Sequence, residues 1–179
     1  MASIRFTRTR GLALALGMVL GLASPSAAET ATDPEPTVLE QIRKYRGETW
    51  RWQRVMGRPL TPTGYGERRA SEASRVWIRD VWKRRAAKAR RRAHHPPHLR
   101  AWLCIHRYEG HWRDPDPLYY GGLQMDLVFQ RTYGLRLLRR RGTADHWTPL
   151  EQMWVAEKAL RAGRGFHPWP VSARRCGLL

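Results

Sequence analysis

The chain has two cysteines, Cys104 and Cys176, and no others; whether they are joined decides how freely everything between them can fold. The compartment governs that, and the first residues speak to it. Arg5, Arg8 and Arg10 make a charged start, residues 11–23 an apolar stretch, and Ser26-Ala27-Ala28 a small-residue cleavage site, the pattern of a secretory signal peptide over residues 1–28. The mature chain is expected to begin near Glu29. Residues 11–23 fall short of the roughly 20 apolar residues that a bilayer-spanning helix needs, and no later stretch reaches that length, so no stable membrane span is expected after cleavage. The expected location is secreted, outside the cytoplasm, where thiols oxidise. In an exported chain a single cysteine pair reads as a disulfide, ahead of a metal site or a nucleophile. Closing a loop of that length is worth about 4 kcal/mol in the chain-entropy model, a large share of a domain's marginal stability.

With 179 residues the chain can build one core and an appendage, hardly two full-sized domains. Its formal net charge is +18, and a surplus of that size seeks polyanions. Outside a bacterial cell these include teichoic acids, anionic lipids and the peptide carboxylates of the wall. DNA is the rival polyanion; no nucleic-acid partner is expected of the exported chain.

Residues 29–37 contain T-D-P-E-P-T, without apolar periodicity, and read as a linker. Val38, Ile42, Tyr45, Trp52 and Val55 then recur at helical spacing until Gly57-Arg58-Pro59 stops the pattern. After a loop over residues 58–66, a second helical pattern over residues 70–93 carries Val76, Trp77, Val81 and Trp82. From Lys83 to Arg92 seven of ten residues are basic. That density stays solvated, whether as a plain helix end or as an arm for polyanions. Pro96-Pro97 ends the helix. His94 and His98 stand four apart, but the prolines interrupt them and no H-E-x-x-H glutamate is present, so no metal site is expected. Residues 38–97 thus read as a basic helical extension.

Residues 99–109 spell a third helix, with Leu99, Trp102 and Leu103 on one face and Gly110 as its stop, which puts Glu109 at a helix C-terminus. R-D-P-D-P-L-Y-Y-G-G over residues 113–122 forms a loop or short hairpin. Helix returns over residues 126–133 and ends at Gly134. Thr148-Pro149-Leu150-Glu151 opens the last strong helix with a capping box, and it runs to about Ala162.

Tyr119-Tyr120-Gly121-Gly122-Leu123-Gln124 resembles the Y-Y-G-G-L-Q run of the resuscitation-promoting factor and transglycosylase-like family. Three more segments agree in order: Glu109 followed by Trp112, the run Glu151-Gln152-Met153-Trp154-Val155-Ala156-Glu157, and Gly165-Phe166-His167-Pro168-Trp169-Pro170-Val171, similar to the family's closing G-x-x-x-W-P-V. The resemblance implies an α+β, mostly α class: a small lysozyme-like transglycosylase domain over residues 98–179, preceded by the basic extension, about which it says nothing. It also implies Glu109 as the catalytic residue and a saccharide groove beside it holding Trp112, Tyr119, Tyr120 and Gln124. There are departures. The family sets its cysteines directly before the glutamate and directly after W-P-V, whereas Cys104 lies four residues earlier and Cys176 four residues later. Both have moved by about one helical turn, which favours a retained bridge. The familiar E-S-G-G-N-W is shortened to Glu109-Gly110-His111-Trp112, so the loop beneath the groove must differ.

Cleaving a glycosidic bond needs a proton delivered to the leaving oxygen, and a carboxylic acid does so at neutral pH once apolar burial favours its protonated form. Trp102, Tyr108 and Trp112 are the expected walls of such a pocket. A hydrolase generally needs a second carboxylate about 5 to 9.5 Å away. Asp114, Asp116 and Asp126 are the candidates, although aspartates alternating with prolines also simply shape turns. A lytic transglycosylase needs one acid only, because the muramic acid's own hydroxyl attacks the anomeric carbon and gives a 1,6-anhydro product. Gln124 offers donor and acceptor groups, and Trp112 and Tyr120 offer aromatic faces, for sugar rings and hydroxyls; the plainer alternative makes these two aromatics core, as Trp154 is read to be. The expected function is a secreted, cell-wall-associated enzyme, a lytic transglycosylase or muramidase, acting on peptidoglycan glycan strands without cofactor or metal. The alternative is a non-catalytic protein that grips glycan and binds anionic wall polymers through residues 83–92.

Overall fold

Among the described residues, regular structure starts directly after the last linker proline. The Thr37 hydroxyl accepts from the Glu40 amide while the Glu40 carboxylate accepts from the Thr37 amide at 2.8 Å, a reciprocal cap that opens α1, Val38–Val55. The computed structural model describes residues 35–179 apart from Tyr65 and Arg68; the expected signal peptide and most of the expected linker lie outside the described residues.

The second helix, α2 (Glu72–His94), packs along α1 through Trp82, Ala86, Ala89 and Ala93, all buried. Alanine at three of those positions leaves little side chain between the helix backbones. Trp77, read from the sequence as part of the apolar pattern, is instead 65% exposed, because the buried stripe follows the alanines. The connecting loop is pinned by polar contacts: the Trp50 indole donates to the Thr61 carbonyl at 2.8 Å, and Arg46 pairs with Glu67 at 2.6 Å.

Past Pro97 come α3 (Leu99–Glu109), α4 (Leu127–Tyr133), α5 (Leu135–Arg141), a 3-10 turn at Ala144–His146, α6 (Pro149–Ala159), a π-helical turn at Leu160–Arg164 and α7 (Pro170–Arg175). The Thr148–Glu151 capping box opens α6 as its sequence requires, with Pro149 in the first turn. The described residues hold no strand, so the class is mostly helical and the expected β component reduces to one antiparallel bridge between Tyr120 and Met125. Pro115 and Pro117 explain this, since each removes a backbone donor that a longer ladder would need.

The central element is α6, buried at every residue from Glu151 to Glu157. A helix apolar on both sides lies between two packed layers. On one side Met153, Val155 and Ala156 join Trp102, Ile105, Leu123, Met125, Trp147 and Trp169 in the main core. On the other, Trp154 enters a smaller core with Met56, Ala89 and Ala93, and its indole donates to the Ala93 carbonyl at 2.8 Å. Glu157, 1% exposed, is a buried carboxylate made tolerable by hydrogen bonds: it accepts from the His98 amide at 2.8 Å and the Trp102 indole at 2.9 Å. Cys104 and Cys176 form a disulfide, Cα atoms 6.0 Å apart, that ties α3 to the residue capping α7. Among the described residues no helix is long and apolar enough to cross a membrane.

Candidate active site

The run from Tyr119 to Gln124 folds as a tight turn closed by its own backbone. Tyr120 and Met125 exchange amide-to-carbonyl bonds at 3.1 and 3.0 Å, and Gly121 supplies the left-handed residue, φ 74°, that the turn requires. Leu123 is fully buried, and its carbonyl accepts from the Trp169 indole at 2.6 Å. That bond joins this turn to the W-P-V segment. Gly122 permits a close approach, since the Trp112 ring and His106 Nδ1 lie where a Cβ would go. Trp112 stacks on His106, ring centres 3.9 Å apart, and its carbonyl accepts from Gln152 at 2.8 Å. Both Trp112 and Tyr120 are half-buried and pack against the main core, so each combines a packing role with whatever face it presents. Tyr119 is 50% exposed.

Glu109 is the last residue of α3 and is half-buried. Its Oε1 accepts a hydrogen bond from the hydroxyl of Ser172, a buried residue in the first turn of α7. Gly110 continues in extended backbone, φ 174°, which any residue adopts; what favours glycine is space. A Cβ there would stand 2.8 Å from Gln124 Nε2 and 2.9 Å from Asp114 Oδ2. The Gln124 amide donates to that Asp114 oxygen and to the Gly121 carbonyl, each at 3.0 Å. These two bonds hold Gln124 in a left-handed conformation, φ 45°, that residues with side chains seldom adopt. The structure therefore joins Glu109 to Ser172 and sets the next residue, Gly110, against the Asp114–Gln124 pair.

The indole bond of Trp102 and the cation contact of Tyr108, two of the expected walls of Glu109, run to other partners. Trp102 lies two helical turns away with its indole on Glu157, and Tyr108, 45% exposed, carries the Arg175 guanidinium 5.3 Å from its ring centre. Adjacent residues on a helix do not face each other, which turns Tyr108 away. Of the candidate second carboxylates, Asp116 accepts from the amides of Leu118 and Tyr119, and Asp126 caps α4 by accepting from Phe129 at 2.6 Å. Asp114 is the one held beside Gly110.

Ser172 was not singled out from the sequence, although a signal for it existed. If Cys104 and Cys176 join α3 to α7, the residue one turn before Cys176 faces the residues one turn after Cys104. His94 lies against Trp52 and His98 against Glu157. Among the described residues no group of three His, Cys, Asp or Glu side chains is disposed to hold a metal ion. Two open hollows lie away from Glu109: one of about 630 Å³ between α1 and the loop carrying Thr63 and Glu67, one of about 590 Å³ beside the disulfide. No protein-family model, no curated protein and no solved structure matches this chain.

Proposed function

We propose that this chain is an exported enzyme that cleaves the glycan strands of peptidoglycan, with Glu109 as general acid and then base. The observation that carries the reading is the Glu109 carboxylate, fastened by Ser172 at the end of α3, with the next residue, Gly110, lying against Gln124 of the Y-Y-G-G-L-Q run. In the proposed reaction the Glu109 carboxyl gives its proton to the oxygen leaving the anomeric carbon. The resulting carboxylate then takes the proton of the muramic acid's C6 hydroxyl as that oxygen bonds to the same carbon. The product is a 1,6-anhydro sugar, no water is consumed, and Glu109 ends protonated as it began. One carboxyl suffices, and the engagement of Asp116 and Asp126 with backbone amides leaves Asp114, itself held by the Gln124 amide, as the one candidate a hydrolytic route would use. Trp112, Tyr119, Tyr120 and Gln124 are assigned to the saccharide groove, with Tyr119 the most open ring for a sugar face.

The disulfide fits an oxidising compartment, and the proposed location is secreted and wall-associated. A second reading, a glycan-gripping protein without catalysis, draws on α2. Every basic residue from Lys83 to Arg92 is exposed, and none forms an ion pair among the described residues. In both readings this face takes anionic wall polymers.

Mass spectrometry of purified peptidoglycan incubated with the mature protein or its Glu109→Gln variant tests the choice. Anhydromuropeptides from the wild type alone are expected. Reducing-end products would make it a hydrolase and turn attention to Asp114. Absence of products from both proteins, with glycan binding intact, would establish the second reading.

A further inference from the structure

We propose that Ser172 is the positioning residue of the candidate acid, a fixed hydroxyl that holds Glu109 Oε1 and so leaves Oε2 as the oxygen that carries and returns the proton. The inference rests on the reading of Glu109 as general acid and says how that acid is aimed.

A glutamate at a helix end has three rotatable bonds, and an untethered one spreads over many rotamers. Glu109 is followed by an extended glycine, so the backbone beyond it adds no side chain to confine it. The confinement comes from across the fold. Ser172 is 1% exposed, and a buried hydroxyl needs an acceptor. Two are in reach, the Trp169 carbonyl at 3.4 Å and the Glu109 carboxylate, which is nearer. A serine hydroxyl has one hydrogen to give, so donating it to Oε1 leaves the acid's own proton to Oε2.

A hydroxyl positions a neighbour only if it is itself held, and α7 is held at both ends. Before Ser172, the buried Trp169 indole is bonded to the Leu123 carbonyl of the motif turn at 2.6 Å. Four residues after it, Cys176 is joined to Cys104 of α3, the helix that ends in Glu109. The donor is thus fastened both to the turn assigned to substrate and to the helix that carries the acid.

The test uses the mature, disulfide-bonded chain with Ser172→Ala and Ser172→Thr. Ser172→Ala is expected to lower kcat by about 10- to 100-fold, the scale of a misplaced catalytic group, with KM for glycan within about twofold, the pattern of an interaction needed only in the transition state. Ser172→Thr, which keeps the hydroxyl, is expected to restore most of the loss. Unchanged kcat in Ser172→Ala, or a loss confined to KM, overturns the proposal. A second arm needs no activity. Melting temperatures of Ser172→Ala, Glu109→Ala and the double variant are expected to be non-additive, because each single change removes the same hydrogen bond; additive losses overturn the contact. Non-additive melting with an inactive wild type would instead sink the enzymatic reading, and the positioning role with it.

Discussion

A Cβ on Gly122 would stand 2.6 Å from His106 Nδ1 and 2.7 Å from the Trp112 ring, and those two rings are stacked on each other, so neither moves without the other. Gly122→Ala is therefore expected to destabilise by about 1–3 kcal/mol, the usual cost of overpacking, read as a lower urea midpoint with altered tryptophan fluorescence. An unchanged midpoint would mean the stack is loose. Trp169 makes a different point. Trp169→Phe keeps a large ring in the core but removes the indole N–H, leaving the buried Leu123 carbonyl without that partner. The expected cost is about 1–3 kcal/mol, and a loss no larger than that of a surface substitution would show that another donor replaces it. Glycines at 121 and 122 were legible in the sequence as a turn, and Glu109 as a helix end. Ser172 was legible only through the cysteine pair, because its meaning lies in a contact 63 residues away that no local pattern encodes.

Legibility at the scale of elements followed side-chain signals. Helix α6 announces itself by its capping box, and α1 by the helical spacing of its apolar residues; the Thr37 capping box of α1 and the Asp126 cap of α4 are further signals of the same kind. The two helices that sequence reasoning missed, α5 and α7, are seven and six residues long and have no side-chain cap at their N-termini. Gly134 ends α4 and begins α5 at once, so a stop signal concealed a start. Short helices of this kind are held by packing rather than by propensity, and for α7 part of that hold is covalent. The disulfide spans 72 residues, a closure worth about 4 kcal/mol in the chain-entropy model. Replacing Cys104 and Cys176 together by serine is expected to remove most of that in urea unfolding and to loosen α7, lowering glycan cleavage along with stability. Reduction of the wild type should reproduce the effect, and a reduced wild type as stable as the oxidised one would show that packing alone secures α7.

For the molecule as a whole, positive charge is the property that folding leaves unneutralised. Loss of hydration and then the neighbouring Arg54 and Arg140 charges hold the Arg136 guanidinium below the usual arginine range, so like charges from separate helices meet there. On α2 the crowding has a direction. The alanines that bury one side of the helix against α1 force Lys83, Arg84, Arg85, Lys88, Arg90, Arg91 and Arg92 into solvent, a stretch of roughly 14 Å at helical rise. The sequence shows the density of charge, but whether it forms a face depends on which residues α1 covers, and only the packing decides that. A rigid row of this kind suits a polymer with repeating negative charge, and its attraction is expected to be screened as the Debye length falls from about 30 Å at 0.01 M salt to about 10 Å at 0.1 M. Replacing Lys83, Arg84, Lys88 and Arg91 by glutamine should weaken retention on purified teichoic acid at low salt and flatten its salt dependence. Relief of self-repulsion should leave the melting temperature equal or higher, which separates lost binding from lost folding. Cleavage of short, uncharged glycan fragments should be unaffected, since α2 supplies none of the residues gathered at Glu109. A parallel loss of that cleavage would make the basic face part of the groove, and unchanged retention would shift the wall contact to the exposed arginines of α5.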